Sequence, residues 1–421
     1  MKKSIKRMLA MVMVVAMIVA LGVSSAYAAT PDINASGVYG STASTLTEGV
    51  NLKKSIVFIN EDGVGVYEPN ITYSYAVSSP ASVTATITDS DNNVAAVRVG
   101  PANGLSCPAT VSFSAANNIV TSSAAGVEVS KNIPLSVDLT KFASAGVYRY
   151  KITETVAAAD LETAAIVRSN DYVSERYVDV YIKNNNGALE VYGFTCFEGN
   201  DNTSLTAASS NKNAGFVKGS DLSDVDVYYT YNLSVKKVIT GTLADMIHEF
   251  PFSISVGGQD SAAKYQYKLA DAAANTDALL NGAAITQNLG HNKVIEIYGL
   301  PGNATINVTE TNDTADAYAL TISNDKSGSV NTFAAAIAAG ATASMKDAAV
   351  VITDYSASSV ATVAAATQAY GAIEFENSLD AVSPTGLLIR FAPYVIMFGM
   401  AWLFVIASKN TKEEKKASAV I

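Results

Sequence analysis

Through much of the chain apolar residues recur at every second position, the period of a half-buried β-strand rather than of a helix. Ile71, Tyr73, Tyr75 and Val77 alternate with polar neighbours, and Val178, Val180 and Ile182 do the same. The run Asn184-Asn185-Asn186-Gly187 then supplies turn residues, and Leu189 and Val191 resume the alternation, which predicts a hairpin. Residues 198–226 are rich in Ser, Asn and Asp and read as a boundary or a loose loop. A second strand series is expected from near Tyr228, with Phe250, Phe252, Ile254 and Val256 alternating in one strand and Ile373 and Phe375 in another. The Ala-rich stretches Ala272–Ala284 and Ala334–Ala349 are ambiguous between a short helix and a loop insertion. Repeated short strands with turn signals between them predict an all-β chain of tandem immunoglobulin-like β-sandwiches.

The two series share a plan. Each opens on a lysine-bearing strand, Leu-Lys-Lys (52–54) or Leu-Ser-Val-Lys-Lys (233–237), and later reaches Ile-Thr-Glu-Thr (152–155) or Val-Thr-Glu-Thr (308–311). Such repetition predicts two copies of one module. Side chains alternate faces along a strand. Leu233, Val235, Lys237 and Ile239 therefore share a face, as do Ile306, Val308 and Glu310, and Ile373, Phe375 and Asn377. A lone lysine or carboxylate among apolar side chains is costly. Three strands each turning one such group inward predict that Lys237, Glu310 and Asn377 meet. An apolar site would leave the amine neutral and nucleophilic and the carboxyl protonated. The amine can then attack the carboxamide carbon while Glu310 moves protons, releasing ammonia and leaving an isopeptide bond.

The ends of the chain change the picture from a fold to a compartment. Lys2, Lys3, Lys6 and Arg7 precede an apolar stretch from Met8 to about Val23, and Ala26-Tyr27-Ala28 supplies small residues for cleavage. This predicts a signal peptide over residues 1–28. At the other end, Leu387–Ala407 is apolar except for Arg390 and is expected to form a transmembrane helix, followed by Lys409, Lys412, Lys415 and Lys416, which hold the tail inside. Just before it stands Val-Ser-Pro-Thr-Gly (382–386). This order resembles a sortase cell-wall sorting signal, closer to the short Val-Pro-Thr-Gly form than to Leu-Pro-x-Thr-Gly. The resemblance implies cleavage between Thr385 and Gly386, after Pro384, with the Thr385 acyl group passed to an amine. The partners implied are a sortase, peptidoglycan and, before sorting, the membrane.

Charge agrees with an exterior location. Of 28 Lys and Arg, four lie in the signal and five beyond Thr385, while two of 38 Asp and Glu lie in the tail, so the mature part carries a net charge of about −17. That argues against binding nucleic acid. Only Cys107 and Cys196 are present. Export permits a disulfide between them, and two buried free thiols are the alternative. The two histidines, His248 and His291, show no ligand or triad spacing, and no metal site, cofactor or enzyme activity is expected beyond autocatalysis.

Leu-Ser-Val-Lys-Lys-Val-Ile-Thr-Gly (233–241), Phe-Pro-Phe-Ser-Ile (250–254), Gly-Leu-Pro-Gly (299–302) ahead of Val-Thr-Glu-Thr, and Phe-Glu-Asn-Ser-Leu (375–379) together resemble the isopeptide-containing backbone pilins of streptococci, the T-antigen-like family. The resemblance covers most of residues 50–420. It implies collagen-adhesin B-type sandwich domains over 29–226 and 227–381, the sorting segment over 382–421, and assembly with other pilin subunits on the cell surface. It also implies a Lys237–Asn377 bond assisted by Glu310. In the first module Lys54 and Glu154 match the family's lysine and glutamate. Its asparagine is missing at the matching place, which reads Gly-Phe-Val-Lys-Gly-Ser (215–220). Asn213 and Asp221 are substitutes in a shifted register, and a buried Lys54–Glu154 ion pair without a covalent product is the alternative. Lys212 stands where the family carries its acceptor lysine, with Lys218 as rival. Tyr-Ile-Lys-Asn (181–184) reads as a strand entering a turn rather than a pilin box. A monomeric wall-anchored adhesin or minor pilin is the competing function.

Overall fold

A computed structural model of the chain describes residues 30–40, 49–115, 119–219, 222, 224–257, 262–274, 276–301, 304–311, 318–324, 333–335, 347–352, 369–381, 394–406 and 408–409. The signal peptide expected over 1–28 and the expected sorting residues Pro384, Thr385 and Gly386 lie outside the described residues.

Strands dominate. Those that position the site are β1 (Gly49–Ile59), β2 (Ile71–Ser78), β3 (Val127–Val137), β4 (Gly146–Thr155), β5 (Ile166–Arg168), β6 (Glu175–Asn185), β7 (Ala188–Phe197), β8 (Gly215–Phe216), β9 (Asp226–Thr240), β10 (Phe250–Gly257), β11 (Ala284–Leu289), β12 (Val294–Pro301), β13 (Thr305–Thr311), β14 (Ala319–Asn324), β15 (Asp347–Ile352) and β16 (Ala369–Ser378). The expected hairpin is β6–β7, antiparallel, turned at Asn186 and Gly187, both with positive φ. Near the end of β6, Lys183 makes an ion pair with Glu190 of β7 at 3.4 Å, as a strand entering a turn should.

One sheet carries β2, β4, β6 and β7, and a second carries β1 and β3. Between them lies a core that includes Ile56, Phe58, Tyr73, Ile152, Val178 and Phe194. The second sheet continues into the other half of the molecule through β9. The first four residues of β9 run parallel to β1, with Asp226 opposite Ile56 and Tyr229 opposite Ile59. Later residues pair with β12 (antiparallel) and β16 (parallel). A third sheet, with β10, β11, β13 and β15, closes the second core around Leu233, Val235, Phe252, Ile254, Val308 and Phe375.

A register shift between Tyr231 and Leu233 lets one strand serve both cores. One extra residue exchanges the faces of everything beyond it. Before the shift Tyr228 packs in the first core; after it Leu233, Val235 and Ile239 pack in the second. Meanwhile Val225, Val227 and Tyr229 bury the opposite face against Val57 and Ile59. At the junction the Asn60 and Asn232 carboxamides exchange hydrogen bonds of 3.2 and 3.0 Å.

The expectation of a loose segment over 198–226 needs correction. Leu205–Thr206 pairs with Ile87–Thr88, and β8 runs parallel to β1, because Leu205 and Phe216 are buried anchors within a polar stretch. Within the ambiguous Ala272–Ala284 stretch, Thr276–Leu280 is a strand with Leu279 buried. Of Ala334–Ala349, only 334–335 and 347–349 are described, at the ends of short strands.

Residues 394–406 are helical, with Phe398, Trp402 and Phe404 exposed. No helix among the described residues is long and apolar enough to cross a membrane. This run rises only about 20 Å, short of a hydrocarbon core of about 30 Å. The remainder of the expected span, 387–393 and 407, is not described.

Candidate functional site

In the second module β9 and β16 are parallel neighbours, with Ile239 opposite Asn377. Lys237 therefore sits one alternation before the residue facing Asn377, and both side chains enter the same core. Glu310 enters from the facing sheet, on β13 opposite Phe252 of β10. All three residues are completely buried. Lys237 Nζ lies 3.1 Å from Glu310 Oε1 and 2.9 Å from Oε2, and Asn377 Nδ2 lies 2.6 Å from Oε1. The Phe250 ring covers the amine at 4.1 Å.

Burial sets the electrostatics. It pulls the Lys237 amine down to about 8 against the opposing pull of Glu310, and it pushes the Glu310 carboxyl up although Lys237 and Asn377 act the other way. Both shifts favour a neutral amine beside a neutral acid. Asn377 Oδ1 has no hydrogen-bond partner among the described residues. A half-turn of the carboxamide would place that oxygen against Glu310. The 2.6 Å separation suits an O–H···O bond, which satisfies the oxygen only if Glu310 carries a proton. The donor would then polarise the carbonyl that the amine must attack.

The first module repeats this arrangement with one residue changed. Lys54 on β1 lies one alternation before Ile56, and the residue opposite Ile56 is Asp226. Glu154 comes from the facing sheet, opposite Tyr75. Lys54 Nζ is 2.7 Å from Asp226 Oδ2, 3.3 Å from each Glu154 oxygen and 2.8 Å from the Tyr172 hydroxyl. Asp226 thus occupies the place of Asn377. The stretch that matches by sequence, 215–220, belongs to the separate short strand β8, whereas Asp226 heads the longer strand β9. Its sequence signal is an acidic residue alternating with Tyr228 and Thr230 at the head of a long apolar run. Asn213 is engaged elsewhere, bonding Glu198 at 2.5 Å, and Asp221 is not described.

Two further groups join this cluster. Arg168 forks onto Asp226, with Nε to Oδ1 at 2.7 Å and Nη2 to Oδ2 at 2.9 Å, and Nη2 also reaches Glu154 at 2.8 Å. Tyr75 and Tyr172 donate to Glu154 at 2.8 and 2.5 Å. Burial works to raise the Asp226 carboxyl, but Arg168 and Lys54 outweigh it and hold the group below its ordinary range.

Lys212 is half-buried, its amine donating to the carbonyls of Thr206 and Ala207 at 3.2 and 2.7 Å. It lines an open groove with Lys53, Glu128 and Lys218. Of the two alternatives for the cysteines, the structure has both free, with Cys196 buried and Cys107 partly so. Cys196 lies on β7, while Cys107 follows the Leu105–Ser106 strand at the edge of the other sheet. The Cys196 thiol is pushed up to about 12 by burial and faces Asn213 at 3.7 Å. His291 serves the backbone, its Nδ1 accepting the Ile239 N–H at 3.0 Å.

Among families, the one described as Domain of unknown function (DUF7601) matches residues 231–349, a span that holds Lys237 and Glu310 and stops before Asn377. No curated protein matches the chain. Among solved structures the chain is similar to the major pilin protein (T3.2) of Streptococcus pyogenes, at 18% identity over 82% of this chain and 99% of that one, with a TM-score of 0.42. A second major pilin structure from Streptococcus pyogenes is 13% identical over 78% and 99%, with a TM-score of 0.38. A pilus-presented adhesin is 14% identical over 50% of this chain and 38% of its own, with a TM-score of 0.24.

Proposed function

We propose that this chain is an exported structural subunit of a pilin-type surface fibre, built of Ig-like sandwich modules and stiffened by an autocatalytic Lys237–Asn377 isopeptide bond. The observation that carries the reading is the convergence of Lys237, Glu310 and Asn377, fully buried and within 3.1 Å contacts of one carboxyl. A proton moves from Lys237 to Glu310, and the neutral Nζ attacks the Asn377 side-chain carbonyl carbon. The new C–N bond forms, Glu310 delivers its proton to Nδ2 and takes the second proton from Nζ, and the bond to Nδ2 breaks so that ammonia leaves. Each chain reacts once, so it is the substrate of its own chemistry rather than an enzyme.

Export and attachment rest on the two ends. The leader over 1–28 and the Val382–Gly386 element ahead of an apolar segment and basic tail fit a precursor held at the membrane, then cut by a sortase between Thr385 and Gly386. The exposed apolar side chains of 394–406 suit such a segment. Lys212 is the acceptor we assign for the next subunit. Wall extracts should then contain a covalent ladder of multimers that collapses in a Lys212→Arg chain. Monomer-sized wall species alone would overturn the fibre reading in favour of a singly anchored adhesin.

An Asn377→Ala chain, which cannot be joined, offers a pH test of the site. Its Lys237 has a folded value of about 8 against an ordinary 10.5. A lowered lysine favours the fold fully above its ordinary value, and that contribution is lost as pH falls through the folded value. Glu310, raised, has the opposite sign and loses its contribution as pH rises through its folded value. Over the window from about 8 to 10.5 the lysine contribution rises with pH. The melting temperature of the variant should climb there relative to the joined wild type, whose amide does not titrate. A constant difference would contradict a desolvated Lys237.

A further inference from the structure

We propose that Arg168 holds the first module's Lys54–Asp226 pair as an unreacted ion pair, so that the two modules, built on one plan, are closed by different chemistry. The geometry points to this single side chain. In the second module β14 pairs antiparallel with β16, and the residue opposite Asn377 is Leu320. In the first, β5 pairs antiparallel with β9, and the residue opposite Asp226 is Arg168. Directly opposed residues on antiparallel strands share a face. Position for position, a buried leucine flanks the amide in one module and a guanidinium flanks the acid in the other.

The charge count explains the consequence. Lys237 and Glu310 form one cation and one anion beside a neutral carboxamide, and a single proton transfer neutralises both. Lys54 and Arg168 face Glu154 and Asp226, two cations against two anions, all within 3.3 Å contacts. Transferring the Lys54 proton to either carboxylate would leave the Arg168 charge with only one anion. The forked pair therefore keeps Asp226 as a carboxylate, whose shared negative charge repels a nucleophile, and it keeps Lys54 as an ammonium without a lone pair. Tyr73, Tyr75 and Tyr172 surround the cluster, and their hydroxyl protons are held more tightly than usual by burial. None of them offers Lys54 a base.

Leucine at position 168 would remove one cation. The remaining Lys54, Glu154 and Asp226 then take up a proton, and a neutral amine beside a protonated Asp226 becomes accessible. Nζ attacks the Asp226 carboxyl carbon, the C–N bond forms, Glu154 passes its proton to the departing hydroxyl and takes one from Nζ, and the C–O bond breaks so that water leaves.

The test is peptide mapping by mass spectrometry of the full-length chain. In the wild type, peptides carrying Lys54 and Asp226 should appear separately. In Arg168→Leu and in Arg168→Met, which keeps side-chain length, they should appear joined with the mass of one water lost, and Glu154→Gln added to either should abolish the joint. A joined Lys54–Asp226 peptide in the wild type overturns the proposal. So does separate recovery from folded Arg168→Leu or Arg168→Met. If neither variant folds, the wild-type map still decides. The Lys237–Asn377 joint is read from different peptides with loss of ammonia, so failure of the proposed function registers independently.

Discussion

Replacing Glu310 by alanine should leave Lys237 and Asn377 unjoined and the chain heavier, relative to its joined counterpart, by one ammonia. Two effects add. The proton carrier is gone, so the amine stays charged and the carboxamide unpolarised. The charged amine also loses the one anion it touches among the described residues, inside a core lined by Phe250 and Phe252. The bond would close a loop of about 140 residues, for which chain-entropy arithmetic gives about 5 kcal/mol. Stranding a buried charge costs about 3–5 kcal/mol more. At a few degrees per kcal/mol for a domain of this size, melting of the second module should fall by roughly 15–25 °C. Glu310→Gln keeps shape and hydrogen bonding but has neither an ionisable proton nor a charge, so it too should stay unjoined while leaving no cavity. Joined peptides recovered from either variant would remove Glu310 from the chemistry.

The second large effect is expected far from that site. Arg149 on β4 is completely buried and is held by Asp179 of β6 through two bonds of 2.8 Å, by the carbonyls of Asp201 and Thr203 at 3.0 and 2.7 Å, and by the Phe197 ring at 4.6 Å. Asp179→Ala leaves the guanidinium without its anion and should cost about 3–5 kcal/mol in denaturant unfolding. Removing both charges together, as Arg149→Met with Asp179→Leu, should recover most of that loss, because a packed apolar pair avoids the desolvation of both ions. A double variant no more stable than Asp179→Ala would show instead that the arginine is needed to hold the 201–203 turn.

The same contrast explains what could be read from the chain beforehand. Lys237, Glu310 and Asn377 were legible because each stands alone on an apolar face, and period-two alternation assigns faces without knowledge of pairing. Asp226 was not, because two facts that only pairing supplies intervene. It begins a strand shared by both modules, and the shift near Tyr231 exchanges that strand's faces midway. Arg168 was invisible for a related reason. Its strand is three residues long, too short for any period, and its role arises from lying opposite Asp226. The turn and flanking alternations of the β6–β7 hairpin could be read because they are contiguous, whereas the register shift between Tyr181 and Ile182 could not. Residues 198–226 could not, since two isolated buried residues, Leu205 and Phe216, do the anchoring amid polar neighbours. Spacing in the sequence carried no information on Cys107 and Cys196, which prove to lie at different sheets.

The strand β9, continuous across the junction, bears on how the molecule would carry tension. Suppose the chain is pulled from beyond Ser378 against a point in the first module. With Lys237 bonded to Asn377, the load leaves β16 through that amide and enters β9, bypassing everything between residues 238 and 376. From β9 it passes to β1 across a parallel ladder, in which all the hydrogen bonds must slide at once instead of opening one by one. The whole second sandwich outside that path is then mechanically idle. A protease that cuts anywhere in the bypassed segment would nick the joined chain without breaking the path that bears the load.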